Sequence, residues 1–180
     1  MRRQARREER ETFGRRGDAV RYQVRQRMVA IGDDFWIEDS DGRRAYKVDG
    51  KALRIRKTLV IEDMQGQVQC RIQERMLRVR DAMEIEGPNG ERMALVRKAM
   101  ITPLRDRWTV KVGDGPDLEV QGNVLHHEYT IGAGDRKIAE VSKKWFRLRD
   151  MYGVAVEPGQ DEGLILGVAI VIDMMAHGGR

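Results

Sequence analysis

The sequence predicts a mainly β chain: a closed antiparallel barrel of about twelve strands around a buried hydrophobic helix near its carboxy-terminal end. Three observations carry this. From Tyr22 onward apolar residues recur with a period of two, turn signals interrupt the pattern at short intervals, and the stretch LILGVAIVIDMM, Leu164 to Met175, is apolar all round.

The strands come first. In LRIRKTLVIED, Leu53, Ile55, Leu59 and Ile61 share one side while Arg54, Arg56 and Thr58 share the other, as a half-buried strand requires. VQCRIQ repeats the pattern, with Val68, Cys70 and Ile72 facing in and Gln69, Arg71 and Gln73 facing out. DSDG ends at Gly42, DMQG at Gly66 and GPNG at Gly90, with GDGPD around Gly115 and GAGD around Gly134. Aspartate, asparagine and glycine supply the turn and positive-φ positions that join adjacent antiparallel strands, so these are hairpins. Gly42, Gly66 and Gly90 are each 24 residues apart, and MLRVRDAMEI (76–85) matches WFRLRDMYGV (145–154) at an offset of 69. One hairpin per 24 residues suits a meander or barrel better than a propeller blade, which needs about four strands in ~40 residues. The alternating segments fall near residues 22–29, 33–39, 43–49, 53–62, 67–75, 77–85, 92–99, 107–113, 117–123, 128–132, 136–144 and 151–157. So many strands favour closure, because an open sheet would leave edges that pair with other chains.

The helix is expected over residues 161–176. Its apolar stretch is twelve residues long, ~18 Å as a helix, whereas a bilayer core needs about 20 apolar residues. Having no polar stripe before Asp173, it cannot lie on a surface and must be surrounded. A barrel of this strand number can hold a central helix. Gly163 and Gly167 keep that helix slim, Pro158 and Gly159 stop the last strand, and Asp161 and Glu162 favour its first turn.

The remaining composition bounds the class of protein. A chain of 180 residues with 41% hydrophobic and 35% charged residues fits one domain with a sizeable core. Cys70 is the single cysteine, which excludes a disulfide framework and favours a reducing setting; it reads as a small core residue. MRRQARREERETFGRRGD lacks the apolar stretch of an export signal, so a cytoplasmic location is expected. Residues 1–19 hold seven arginines and four acids, net +3 of the chain's +5. They form an arm ahead of a domain spanning 20–180. Two readings of the arm stay open, a solvated tail and an electrostatic tether to phosphate groups.

The segments VRQRMVAIGDDFWIEDSDG, RDRWTV and EVSKKWFRLRDMYGV, together with the D-x-x-G turns and the terminal apolar helix, resemble the LURP-one-related family over about residues 20–176. The resemblance implies the tubby-like fold, a closed twelve-stranded barrel around a carboxy-terminal helix, shared with tubby domains and phospholipid scramblases. It further implies phosphoinositide binding by a basic surface, as in tubby domains. The palmitoylated cysteine cluster and proline-rich arm associated with scramblases are missing here.

No catalytic constellation emerges, and a non-enzymatic protein without cofactor is expected. His126 and His127 are adjacent and on a strand would point to opposite faces, with His177 in the tail, so these histidines are not expected to form a metal site. Asp33-Asp34 and Asp114 to Asp117 lack the spacing of a calcium loop, Ser40 and Ser142 have no base in motif, and GAGD lacks the context of a nucleotide loop. What remains is basic. Arg54 and Arg56, Arg78 and Arg80, Arg105 and Arg107, and Arg147 and Arg149 are four i, i+2 pairs, joined by Lys143 and Lys144 as candidate ligand-binding residues. Paired guanidinium groups on one face suit anionic phospholipid headgroups at a membrane surface, whereas Asp81, Asp106 and Asp150 beside three of the pairs would neutralise them. The alternatives are a protein-interaction or scaffold role and, less favoured, nucleic-acid association through the arm.

Overall fold

The computed structural model describes residues 19–25, 34–50, 58–73, 82–99, 106–145 and 150–177. Within them the chain forms twelve strands and one α-helix. The strands are β1 (Val20–Arg25), β2 (Phe35–Asp39), β3 (Arg44–Asp49), β4 (Thr58–Asp63), β5 (Val68–Gln73), β6 (Ala82–Glu86), β7 (Arg92–Lys98), β8 (Asp106–Val112), β9 (Leu118–Asn123), β10 (Glu128–Ala133), β11 (Arg136–Ser142) and β12 (Met151–Val156); α1 spans Glu162–His177. Each strand pairs antiparallel with its neighbours in sequence, and β1 pairs β12 from Val20↔Val156 to Arg25↔Met151, which closes the barrel. The expected architecture is therefore the observed one. Of the expected strands, 22–29, 33–39, 53–62, 67–75 and 77–85 run partly into residues outside the described ones, and Leu53 and Ile55 lie there.

The repeat of 24 residues is a structural repeat. Gly42, Gly66 and Gly90 have φ of 76°, 78° and 84°, a left-handed conformation that glycine adopts without a steric penalty. Asp39 Oδ1 accepts from the backbone N–H groups of Asp41 and Arg43 at 2.9 Å each, and Asp63 Oδ1 accepts from those of Gln65 (2.9 Å) and Gln67 (2.8 Å). In the third hairpin Gly87 stands at the position of those aspartates, and Glu91 Oε2 accepts from Asn89 N–H at 3.0 Å instead. A bulge precedes each turn, at Ile37/Glu38, Ile61/Glu62 and Ile85/Glu86. Each bulge bends its strand and helps the sheet curl into a cylinder. The offset of 69 has the same origin, since it superposes the start of β6 at Ala82 on the start of β12 at Met151.

Alternation decides what lines the lumen. Val24, Ile37, Val48, Ile61, Ile72 and Ile85 point inward and are fully buried. They meet α1, whose residues Gly163 to Asp173 are all buried. A Cβ on Gly163 would sit 2.9 Å from Gln69 Cβ, and one on Gly167 would sit 3.0 Å from Cys70 Sγ, so both glycines are required by close approach to β5. Asp161 caps the helix, its Oδ1 accepting from Leu164 N–H at 2.9 Å. No described helix is long and apolar enough to cross a membrane.

Burying each apolar side chain of α1 contributes about 1.5–3 kcal/mol, so the helix and the inner wall supply much of the fold's stability. Ile170 is fully buried at mid-helix. Ile170→Asp should cost on the order of 5 kcal/mol, comparable with the whole stability of a domain, and yield unfolded or insoluble protein. Ile170→Val should cost about 0.5–1.5 kcal/mol and melt cooperatively, which denaturant melts of both variants check.

Candidate functional site

The meander sorts its connections onto two rims. Gly163 packs beside Gln69 at one end of the helix, whereas His177 Nε2 lies 3.3 Å from the Leu125 carbonyl oxygen at the other. From these anchors the register places Arg25, Phe35, Asp49, Thr58, Gln73, Ala82, Lys98, Asn123, Glu128, Ser142 and Met151 at the rim of the helix carboxyl end. The sequence stretches that link strand ends there, 26–34, 50–57, 74–81, 99–105, 124–127 and 143–150, hold thirteen basic and five acidic residues. Those on the opposite rim, 40–43, 64–67, 87–91, 113–117, 134–135 and 157–161, hold one basic and seven acidic residues. The sequence that links strand ends is thus basic at one rim and acidic at the other.

Of the residues singled out from the sequence, Arg54, Arg56, Arg78, Arg80, Arg105, Arg147 and Arg149 lie outside the described residues, all in stretches that link strand ends at the basic rim. Arg107, in β8, is exposed and has no acidic partner among the described residues. Lys143 and Lys144 lie just beyond β11 rather than in it. The strand stops because Glu128 Oε1 accepts from Ser142 Oγ (3.0 Å) and Lys143 N–H (3.1 Å), which draws the backbone out of the ladder. Lys144 Nζ is 3.4 Å from Glu128 Oε2, yet its side chain is 81% exposed, so the pair is weak and the charge faces water. Arg97 in β7 adds another exposed cation, its neighbour across the ladder being Thr109.

A second group of polar residues lies inside this rim, and the expected scatter of the histidines is overturned there. Val124–His126 is a 3-10 turn rather than strand, with Asn123 Oδ1 accepting from His126 N–H at 3.2 Å. His127 follows with φ 52° and ψ 45°, a left-handed conformation that turns its ring inward while His126 stays exposed. His177 belongs to the last turn of α1 rather than to a tail. His127 Nε2 lies 2.7 Å from Asp173 Oδ1, and His177 Nδ1 lies 3.0 Å from the same oxygen. The His127 ring stacks on Tyr152 at 4.5 Å and on His177 at 5.1 Å. Burial, then the negative charge of Asp173, pushes the Tyr129 and Tyr152 phenols upward, so both stay neutral. The signal for this cluster was in the sequence. Asp173 and His177 are i, i+4 on one helix face, and a lone carboxylate in an apolar helix demands a partner.

The amino end of α1 has its own anchor. Glu162 Oε2 accepts from the Tyr22 hydroxyl and, at 3.1 Å, from that of Tyr46. Burial raises the Tyr46 phenol to about 12, with the Glu162 charge acting in the same direction. The Tyr22 and Tyr46 rings meet edge to face at 5.6 Å.

A twelve-stranded up-and-down barrel closed around a carboxy-terminal helix is the tubby-like architecture. The chain belongs to the LURP-one-related family, whose profile matches residues 20–173. It is 25% identical over 154 residues to the uncharacterised Bacillus subtilis protein YxjI, covering 86% of this chain and 92% of that one. The fold is also that of a protein of Arabidopsis thaliana known from an X-ray structure. The TM-score is 0.64 at 18% identity, with 87% of this chain and 90% of the other covered.

Cys70 is core, as the alternation implied. It is buried, its thiol 3.6 Å from the Gly163 carbonyl oxygen, and burial pushes its pKa up to about 12. Four pH units below that value the thiolate is negligible. At pH 8 the native protein should therefore leave an aromatic disulfide reagent unreacted over many minutes, with one thiol appearing promptly in denaturant. Rapid titration of the native thiol would contradict the burial.

Proposed function

We propose that this protein is a non-enzymatic binding module whose basic rim docks on the phosphate groups of anionic phospholipid headgroups. The observation that carries the reading is the charge of the linking sequence, thirteen basic and five acidic residues in the stretches between strand ends at one rim against one and seven at the other. Such a polarity orients a barrel at a negatively charged surface. The surface attracts the basic end and repels the acidic one, each lysine or arginine near a membrane contributing about 1 kcal/mol. Lys143, Lys144, Arg97 and Arg107 lie close to this rim with long, mobile stems, which suits transient contact with headgroups of varied position. The family supports the same direction only through the tubby-like fold, because its named bacterial relative is uncharacterised.

Flotation with vesicles separates the outcomes. The protein should rise with vesicles containing phosphatidylserine or a phosphoinositide and stay behind with pure phosphatidylcholine, and binding should fall as salt shortens the Debye length below ~8 Å. Lys143→Glu combined with Lys144→Glu should reduce binding at least tenfold while leaving the melt within a few degrees, since exposed side chains carry little packing. Equal recovery on neutral and anionic vesicles, or retention on DNA but not on vesicles, would overturn the lipid reading in favour of a protein-interaction or nucleic-acid role.

A further inference from the structure

Inside the basic rim, His127 and His177 converge on one carboxylate oxygen of Asp173, an arrangement that the binding reading does not use. The Leu125 carbonyl oxygen, an acceptor, lies 3.3 Å from His177 Nε2, so that nitrogen carries a proton. In the neutral ring, His177 Nδ1 then presents a lone pair, and it faces acceptors, Asp173 Oδ1 at 3.0 Å and the Asp173 carbonyl oxygen at 3.1 Å. His127 Nε2 stands 2.7 Å from the same carboxylate oxygen. The side chains of Asp173 and His127 are 2% and 1% exposed, so water screens this convergence poorly.

We propose that His127 Nε2, Asp173 Oδ1 and His177 Nδ1 bind a divalent transition-metal ion, with zinc the best chemical match. The geometry and chemistry of the site support this. The donor atoms all lie within 4.8 Å of one another, and two imidazoles with one carboxylate suit zinc and its neighbours rather than calcium or magnesium. Tetrahedral zinc spaces such donors by ~3.3 Å, so the observed pairs need to open by only a few tenths of an ångström. The second shell is in place on one side, because His177 Nε2–H donates to Leu125 and so leaves Nδ1 for the ion. On the other side the backbone is strained to deliver a ligand. His127 is the only described non-glycine residue with positive φ, and such strain collects at functional sites. The hydroxyls of Tyr129 and Tyr152 are buried without a protein hydrogen-bond partner, polar atoms suited to a water carried by the ion. The His177 side chain, 16% exposed, marks the side from which an ion enters.

The test uses the full chain, stripped with chelator and desalted, then titrated with zinc chloride. Calorimetry and elemental analysis after gel filtration should give one zinc per chain, and the melting midpoint should rise by several degrees at a hundredfold excess over Kd. His177→Gln lies at the helix end, leaves the buried pair intact and should fold but lose both effects. His126→Gln, one residue away and outside the cluster, should keep both. Absence of stoichiometric zinc on the wild-type chain overturns the proposal and leaves the cluster a hydrogen-bonded anchor for the end of the helix. So does an undiminished zinc response in His177→Gln, or loss of it in His126→Gln.

Discussion

A closed sheet of twelve strands encloses a lumen wider than its own inward side chains can fill, whereas eight strands would leave none. The barrel therefore cannot stand as a packed object without something apolar inside it, and α1 cannot remain in water with no polar face. Each element removes the other's exposure. Gly163 and Gly167 mark where this mutual fit is tightest, against Gln69 and Cys70 of β5. An apolar rod in an apolar tube has nothing in its middle to prevent sliding or rotation. The polar groups at its two ends supply that, with Glu162 held by Tyr22 and Tyr46 at one rim and Asp173 held by His127 and His177 at the other. Hydrogen bonds are directional where apolar contact is not, so these clusters fix the axial register of the helix.

The separation of charge follows from topology and turn chemistry together. In an up-and-down barrel every second connection returns to the same rim. On the rim near the start of the helix the connections are short, and some of their carboxylates are spent on backbone N–H groups, as Glu91 and Asp161 show. Acidity at that end is thus partly a by-product of building tight hairpins. The stretches that link strand ends at the other rim are mostly longer, and their sequence is rich in lysine and arginine. Tight hairpins and the proposed binding surface thus fall at opposite ends of one barrel, in keeping with the general rule that function resides in loops held by a rigid frame.

The frame was largely legible in the sequence because each signal had one dominant cause. Alternation at Cys70 and Ile72 reflects burial on one face, the glycines 24 apart reflect a required positive φ, and the apolar run from Leu164 to Ile172, with no polar stripe, reflects complete enclosure. The site was less legible because its residues are brought together by contacts that alternation does not encode. His126 and His127 read as a strand pair until Asn123 capped a 3-10 turn and His127 entered the left-handed region, which a non-glycine residue rarely does. Arg54 and Arg56 read as facing a strand surface. Both lie outside the described residues, in the stretch between Asp49 of β3 and Thr58 of β4. Long-range register, which gathers stretches as far apart as 50–57 and 143–150 at one rim, cannot be read from local periodicity.

The central claim is that barrel and helix are one cooperative unit, and native-state hydrogen exchange of the α1 amides tests it most directly. The amides of Ile165 to Ile172 sit in the fully enclosed part of the helix. Their opening free energy should equal that of the most protected strand amides and of global unfolding measured by denaturant melts, because the helix has no route to solvent while the sheet is closed. Exchange of these amides through a cheaper opening, with β4 and β5 still protected, would show that the helix leaves an intact barrel and would contradict the account.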